Sequence, residues 1–377
     1  MADTPTATQI GAAGASAIVV SHTPAVSRWA LCYFGSWWDA ADTPVPTTDD
    51  ARDGYVIVAE VDPHRYTDLA RRVPAGAHKR VVYARAPLLL SHGDDGVVHA
   101  LSPTEKLAYR ARPRSGRILL VGVSELPVSL ATARLARETV RALLRSDGWA
   151  LLHASAVTRH GRALLALGSK GAGKTTCALT LARRCGWELL ANDRVFVRGD
   201  ATGVRVLPWP AAAAIGLGLL DALGLYDAAR DRIRSGDRPH PTQDVRVTMA
   251  LRAGHRDPPR GPHGRELKAQ VFPHQLRDWF GLRLATAGRA AALLFPTVAP
   301  GVTPSYGGPH RGLEDSDFFT ATTEDRYPDI FGLMPAAREH ANTDVREHLA
   351  RLPHHTVTLG HDITANTELL HEIAVAI

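Results

Sequence analysis

Cysteine is scarce in this chain, and the scarcity excludes a class of proteins. The three present, Cys32, Cys177 and Cys185, are an odd number with no CxxC and no metal-ligand spacing. A secreted disulfide scaffold needs a dense, even set, so these read as reduced thiols in a cytosol, acting as small buried hydrophobes. Long apolar runs are missing too. The longest, AAAAIGLGLLDALGL from Ala211, is interrupted by Asp221 and falls short of a membrane span. The first twenty residues lack the basic start of a secretory signal. No membrane partner is expected, and the expected location is cytoplasmic.

Blocks of one charge sign are also absent. The formal charge is +6, but the positive residues are nearly all arginine and lie interleaved with Asp and Glu. That pattern argues against a nucleic-acid surface. Hydrophobic content of 45% and charged content of 22% suit a globular protein, and 377 residues exceed one compact core. Two domains are expected, 1–128 and 129–377.

The first 128 residues read as short strands joined by turns: SAIVV, WALCYFG, GYVIVAEV, KRVVYARA, GVVHAL, KLAYRARP and GRILLVGV each mix β-branched and aromatic residues. No catalytic constellation is visible there; His64, His78, His92 and His99 are dispersed. From Ser129 the period becomes helical, with Leu130, Ala133, Ala136, Val140, Leu143 and Leu144 on one face and Gly148 at the end. WALLHASAV, GRALLALG, TTCALTLARRCG and WELLANDRVFV then run strand, strand, helix, strand, the order of an α/β nucleotide-binding core.

Between the second strand and the helix lies GSKGAGKTT, residues 168–176. Gly168, Gly171 and Gly173 let the backbone turn tightly, so that N–H groups of Ser169, Lys170, Ala172 and their neighbours face an anion. Lys174 brings a charge to the β- and γ-phosphates, Thr175 a hydroxyl to Mg²⁺, and Thr176 continues the helix start, where the dipole also favours an anion. The pattern predicts binding of ATP with Mg²⁺. Asp193 ends the next strand, 19 residues after Lys174, where a carboxylate can serve the metal or the nucleophile. His153 lies 21 residues before Lys174, and an imidazole beside a carboxylate can orient it and share its proton.

A strand with LHAS, a glycine-rich loop whose lysine follows 21 residues on, and a helix leading into A-N-D-R-V resemble the HPr kinase/phosphorylase family. The resemblance covers residues 129 to about 300 and implies an HPr-kinase-like P-loop core behind a strand-rich α+β N-terminal domain. It implies Asp193 as the base that activates an acceptor hydroxyl, His153 as its support, and Lys174 and Thr175 as holders of ATP and Mg²⁺. Asn192 stands at the first member of the family's aspartate pair, and can hold a metal or water only through its carbonyl. Lys170 stands at a usual serine, and the family's glutamate-bearing segment has no clear counterpart. The segments 207–225, RELKAQVFPHQLRDWFG and AALLFPTVAP look more like HPr-kinase-like proteins of bacterial biosynthetic clusters, including lasso-peptide precursor kinases. The family is hexameric, so a homo-oligomer is among the assemblies implied.

The expectation is an ATP-dependent kinase acting on a hydroxyl, either Ser/Thr of a peptide or protein or a small hydroxylated metabolite. Two rivals stay open: a nucleotide-hydrolysing regulator, and a metabolite kinase of another P-loop topology. Lys268 and Arg277 are further candidate cations for phosphate or acceptor, and LEDSDFFTATTEDRYPD, 313–329, is a candidate lid.

Overall fold

The computed structural model describes residues 4–46, 54–73, 78–84, 86–307, 311–319, 329–332 and 341–377. It is mixed α/β, the class expected, and its contacts divide it into two compact units.

The first unit is Met1–Gly148 with Thr320–Glu339. Its strands are β1 (Thr6–Ala12), β2 (Ala15–Ser21), β3 (Asp39–Thr43), β4 (Tyr55–Val61), β5 (Lys79–Tyr83), β6 (Ala86–His92), β7 (Val98–Ser102), β8 (Leu107–Arg112) and β9 (Arg117–Gly122). They form one sheet in the order β3-β1-β2-β4-β9-β8-β7-β6-β5, parallel only where β4 meets β2 and β9. The helices are α1 (Pro24–Phe34), α2 (Pro63–Ala70) and α3 (Glu125–Ser146).

WALCYFG, expected as a strand, is the end of α1. Pro24 starts it, and Val26, Ala30, Tyr33 and Phe34 bury one helical face. The expected boundary lay before Ser129, whereas the first unit runs to Gly148, because α3 packs on β2, β4 and β9.

The second unit is Trp149–Phe319 with His340–Ile377. Its strands are β10 (Ala150–Leu152), β11 (Ala154–Arg159), β12 (Arg162–Leu167), β13 (Glu188–Ala191), β14 (Val195–Asp200), β15 (Gly203–Pro208), β16 (Ala213–Ile215), β17 (Ala269–Val271), β18 (Gly288–Val298), β19 (Ser305–Tyr306) and β20 (His354–Leu359). Its helices are α4 (Lys174–Arg184), α5 (Leu217–Ala222), α6 (Tyr226–Arg234), α7 (Val245–Ala253), α8 (Pro273–Asp278), α9 (Ala341–Ala350) and α10 (Ile363–Val375). The main sheet runs β10-β14-β15-β18-β12-β11-β13, and β20 pairs with the far half of β18.

RALLAL of β12 is apolar at nearly every position because both faces are covered. Ala163, Leu165 and Leu167 join a core with Val195, Val197, Phe295 and Leu349, the last from α9. Leu164 and Ala166 instead meet Cys177, Ala178 and Leu181 of α4. Cys177 is fully buried, and burial pushes its thiol up to about 12, which leaves it a packing residue. Among the described residues no helix is long and apolar enough to cross a membrane.

Candidate functional site

Register brings the predicted residues together. In β11, Ala154 pairs with Leu167 of β12, and Ala156 with Ala191 of β13. Each strand therefore ends at the same edge of the sheet, where β10 gives way to β11 at His153, β12 runs into Gly168, and β13 runs into Asn192 and Asp193. The strand order alone sets three distant segments side by side.

The loop 168–173 turns directly into α4. Gly173 caps the helix at φ 107°, a left-handed conformation, and a Cβ there would lie 2.6 Å from Val298 Cγ2. Only glycine meets both demands. Ser169, Lys170 and Gly171 are exposed at the tip, and Ala172, Thr175 and Thr176 are half-buried. Lys174 is buried, and its Nζ donates to the carbonyls of Gly168, at 2.5 Å, and Ser169, at 3.1 Å. Burial holds its ammonium below the ordinary lysine value; Asp193 and Asp317 oppose that, while Arg311 and Lys268 add to it.

His153 Nε2 lies 3.1 Å from Asp193 Oδ1, and Arg194 Nε lies 3.1 Å from Asp193 Oδ2. Burial raises the Asp193 carboxyl, but hydrogen bonding from His153 and the charges of Arg194, His153 and Lys174 outweigh it. The carboxyl is held below its ordinary value. It is thus an ionised acceptor between three basic groups. Asn192 is buried beside it, and its main-chain carbonyl accepts from the Ser155 hydroxyl. Its side-chain Oδ1 is buried with no hydrogen-bond partner among the described residues.

The far wall comes from residues 311–319. Leu152 and Phe318 form an antiparallel bridge, flanked by His153 N–H to Asp317 carbonyl at 2.8 Å and Phe319 N–H to Leu151 carbonyl at 2.9 Å. Asp317, 2% exposed, accepts from Arg311 at 2.9 Å and from the Glu314 N–H at 2.9 Å. The Phe319 ring centre lies 5.5 Å from that of His153 and 4.5 Å from the Arg194 guanidinium.

Of the candidate lid, 313–329, residues 313–319 therefore belong to a wall paired to β10; residues 320–328 lie outside the described residues. Lys268 acts electrostatically on Lys174, whereas Arg277 pairs with its neighbour Asp278 on an exposed surface. Sequence reasoning assigned no part to Arg194 or Arg311, and took Asp317 and Phe319 only as members of the candidate lid. Two adjacent phenylalanines inside an acidic stretch were the one local sign that 317–319 is not an ordinary loop.

Among the described residues no group of three or more His, Cys, Asp or Glu is arranged to hold a metal ion. Oxygen donors at this edge are the Thr175 hydroxyl, Asn192 Oδ1 and Asp193. The arrangement can offer an anion the N-terminus of α4 and a buried ammonium, and a hydroxyl a nearby carboxylate with an imidazole behind it. No protein-family model matches the sequence, and no curated protein matches it.

Proposed function

We propose that the chain is an HPr-kinase-like, ATP-dependent kinase that transfers the γ-phosphoryl group to a hydroxyl, on Ser/Thr of a peptide or protein or on a small metabolite. The observation that carries this reading is the Asp193–His153 pair, 3.1 Å apart at the sheet edge where the glycine-rich loop begins. A carboxylate base oriented by an imidazole serves an acceptor hydroxyl; mere nucleotide binding needs neither.

The residues present fit ATP and Mg²⁺. Lys174 is a buried ammonium whose bonds among the described residues are to carbonyls of its own loop, which phosphate oxygens can replace. Asn192 Oδ1 is an orphaned buried acceptor of the kind a metal-bound water satisfies. Thr175 and Asn192 would hold Mg²⁺, which when bound neutralises phosphate charge. Residues Gly168–Thr176 hold and orient the polyphosphate. Asp193 takes the proton of the acceptor hydroxyl as its oxygen attacks phosphorus, His153 holds Asp193 in line, and Lys174 balances the charge of a loose transition state.

A second reading, a slow nucleotide hydrolase that regulates rather than transfers, is favoured by Asn192, which leaves one acid where the resembled family has two. The deciding experiment incubates wild type and Asp193→Asn with Mg²⁺, γ-labelled ATP and a size-fractionated extract of the source organism. Label in a peptide or protein fraction, lost in the variant, identifies a peptide kinase. Label in the small-molecule fraction identifies a metabolite kinase. Free phosphate alone, from both proteins, overturns the kinase reading in favour of the hydrolase.

A further inference from the structure

Asp193 is gripped from two sides, and only the His153 side belongs to the mechanism above. Arg194 Nε faces Oδ2 at 3.1 Å while His153 Nε2 faces Oδ1 at the same distance. Turning the carboxylate about its Cβ–Cγ bond breaks both contacts together. His153 takes up one lone pair of Oδ1 by a hydrogen bond, whereas Arg194 Nε meets Oδ2 as an ion pair outside hydrogen-bond alignment, so both oxygens keep acceptor capacity for another donor.

Arg194 is itself held on three sides. Its guanidinium lies 4.5 Å from the Phe319 ring centre and 5.7 Å from that of Trp209. Its own main-chain carbonyl accepts from the Trp209 N–H at 3.3 Å. Trp209 in turn packs against Phe196 of β14, and Phe319 is anchored on β10 through its N–H to Leu151. A flexible arginine on a surface contributes little to a neighbouring carboxylate. Here the side chain, 21% exposed, is stacked between rings whose own positions the sheet fixes. Phe319 also touches the His153 ring, at 5.5 Å between centres, so one aromatic side chain aligns both partners of the same carboxylate.

We propose that Arg194 is a positioning residue for Asp193: with Phe319 and Trp209 as its platform it fixes the second carboxylate oxygen, so that the base presents one orientation to the acceptor hydroxyl. The inference rests on the reading of Asp193 as the base. Its geometric core, that Arg194 immobilises the Asp193–His153 pair, stands apart from whether the chain is a kinase. Lysine carries the charge but not the flat, fork-shaped group that stacks between the rings, so Arg194→Lys should recover only part of the effect.

The test uses the full-length chain and two readouts. The first is the proton NMR resonance of the His153 ring N–H directed at Asp193, recognised by its absence in His153→Gln. It should be sharp in wild type, lost to water exchange in Arg194→Ala, and retained but broadened in Arg194→Lys. The second is turnover of Mg²⁺·ATP with the acceptor fraction identified above, or with water if no fraction takes label. Arg194→Ala should lower kcat about 10- to 100-fold, on the order of the cost of a misplaced rather than a missing base, with KM for ATP within about twofold. Ethylguanidinium added to that variant should restore at least a third of the lost rate, which a damaged fold would not allow. A His153 resonance unchanged in Arg194→Ala overturns the clamp whatever the enzyme does. So does a loss expressed in KM for ATP with kcat intact. If the resonance behaves as expected while the wild type transfers phosphate to no acceptor, the clamp stands and the kinase reading falls.

Discussion

The main-chain N–H of His153 donates to the carbonyl of Asp317 at 2.8 Å, so the residue behind the candidate base takes its position from a segment more than 160 residues further along the chain. The Asp317 carboxylate is buried and holds that segment through Arg311 and the Glu314 N–H. Replacing it with alanine leaves Arg311 with Glu314 and the face of Phe295, and takes away the acceptor of the Glu314 N–H. Asp317→Ala should cost about 2 kcal/mol, the range for a buried hydrogen bond to a charged group. On the proposed reading, transfer should fall with it while ATP still binds, because the glycine-rich loop is built on β12 and α4. Urea denaturation and an ATP-binding isotherm check the two parts separately.

Gly173 and Val298 make a second, separable prediction. Any side chain at Gly173 must accept φ 107° and a contact of 2.6 Å with Val298 Cγ2, whereas Gly171, at φ 92°, has no heavy atom within 4 Å of an added Cβ. Gly171→Ala should therefore cost only backbone strain, about 1–2 kcal/mol. Gly173→Ala should cost more, with loss of nucleotide binding as α4 shifts. Adding Val298→Ala should return the difference between the two and no more, a double-mutant comparison made by urea denaturation.

These two pairs also mark what the sequence made legible. The glycine-rich loop, the strand before it and the helix after it are consecutive, so local pattern was enough, and the spacing of His153, Lys174 and Asp193 followed from that unit. Helix α1 was hidden because Trp29, Tyr33 and Phe34 favour strands by composition, and their spacing decides only when Pro24 is taken as a first-turn residue. Helix α2 was passed over although Asp62 caps it through the N–H groups of His64 and Arg65. The 311–319 wall was out of reach for another reason. Its pairing with β10 is a long-range bridge, and an acidic stretch with two phenylalanines has the same composition as a mobile loop. Arg194 stood in plain view beside Asp193, but its stacking on Phe319 and Trp209 needs three segments in place at once.

Lys174 gives a prediction in which stability and binding move in opposite directions. Burial disfavours its charged form, so at neutral pH the ammonium costs the ligand-free fold some stability, and that cost is absent only at alkaline pH, where lysine is neutral in both states. Lys174→Met removes the charge but also the bonds to Gly168 and Ser169. The ligand-free variant should melt at or slightly above the wild-type temperature at pH 7. Mg²⁺·ATP at about 100 times its Kd should stabilise wild type by about 2.7 kcal/mol and leave the variant almost unmoved. A wild-type melting curve indifferent to ATP would remove the phosphate-loop assignment.

The Asp193 carboxyl supplies the pH dependence. Burial pushes it up, but the hydrogen bond from His153 and the charges of Arg194, His153 and Lys174 bring it below the ordinary carboxylate value. A group whose folded pKa is depressed adds stability above its unfolded value and loses it as pH falls toward the folded one. Asp193→Asn should therefore be less stable than wild type at pH 7, by no more than about 1 kcal/mol because the side chain is 43% exposed. That gap should narrow below about pH 4, as the unfolded carboxyl begins to take up its proton, and close once the folded one does so too. His153→Gln removes the foremost of the lowering causes, so Asp193 should titrate at higher pH in that variant, and the gap between His153→Gln and the same variant carrying Asp193→Asn should be smaller at pH 7 and finish closing at a higher pH. The measurement is a set of urea melts from pH 7 to pH 3 in EDTA, free of nucleotide and metal. A difference between wild type and Asp193→Asn that stays constant over that range would mean that the carboxylate is not held by its basic neighbours. The orientation assigned to the pair would then fall with it.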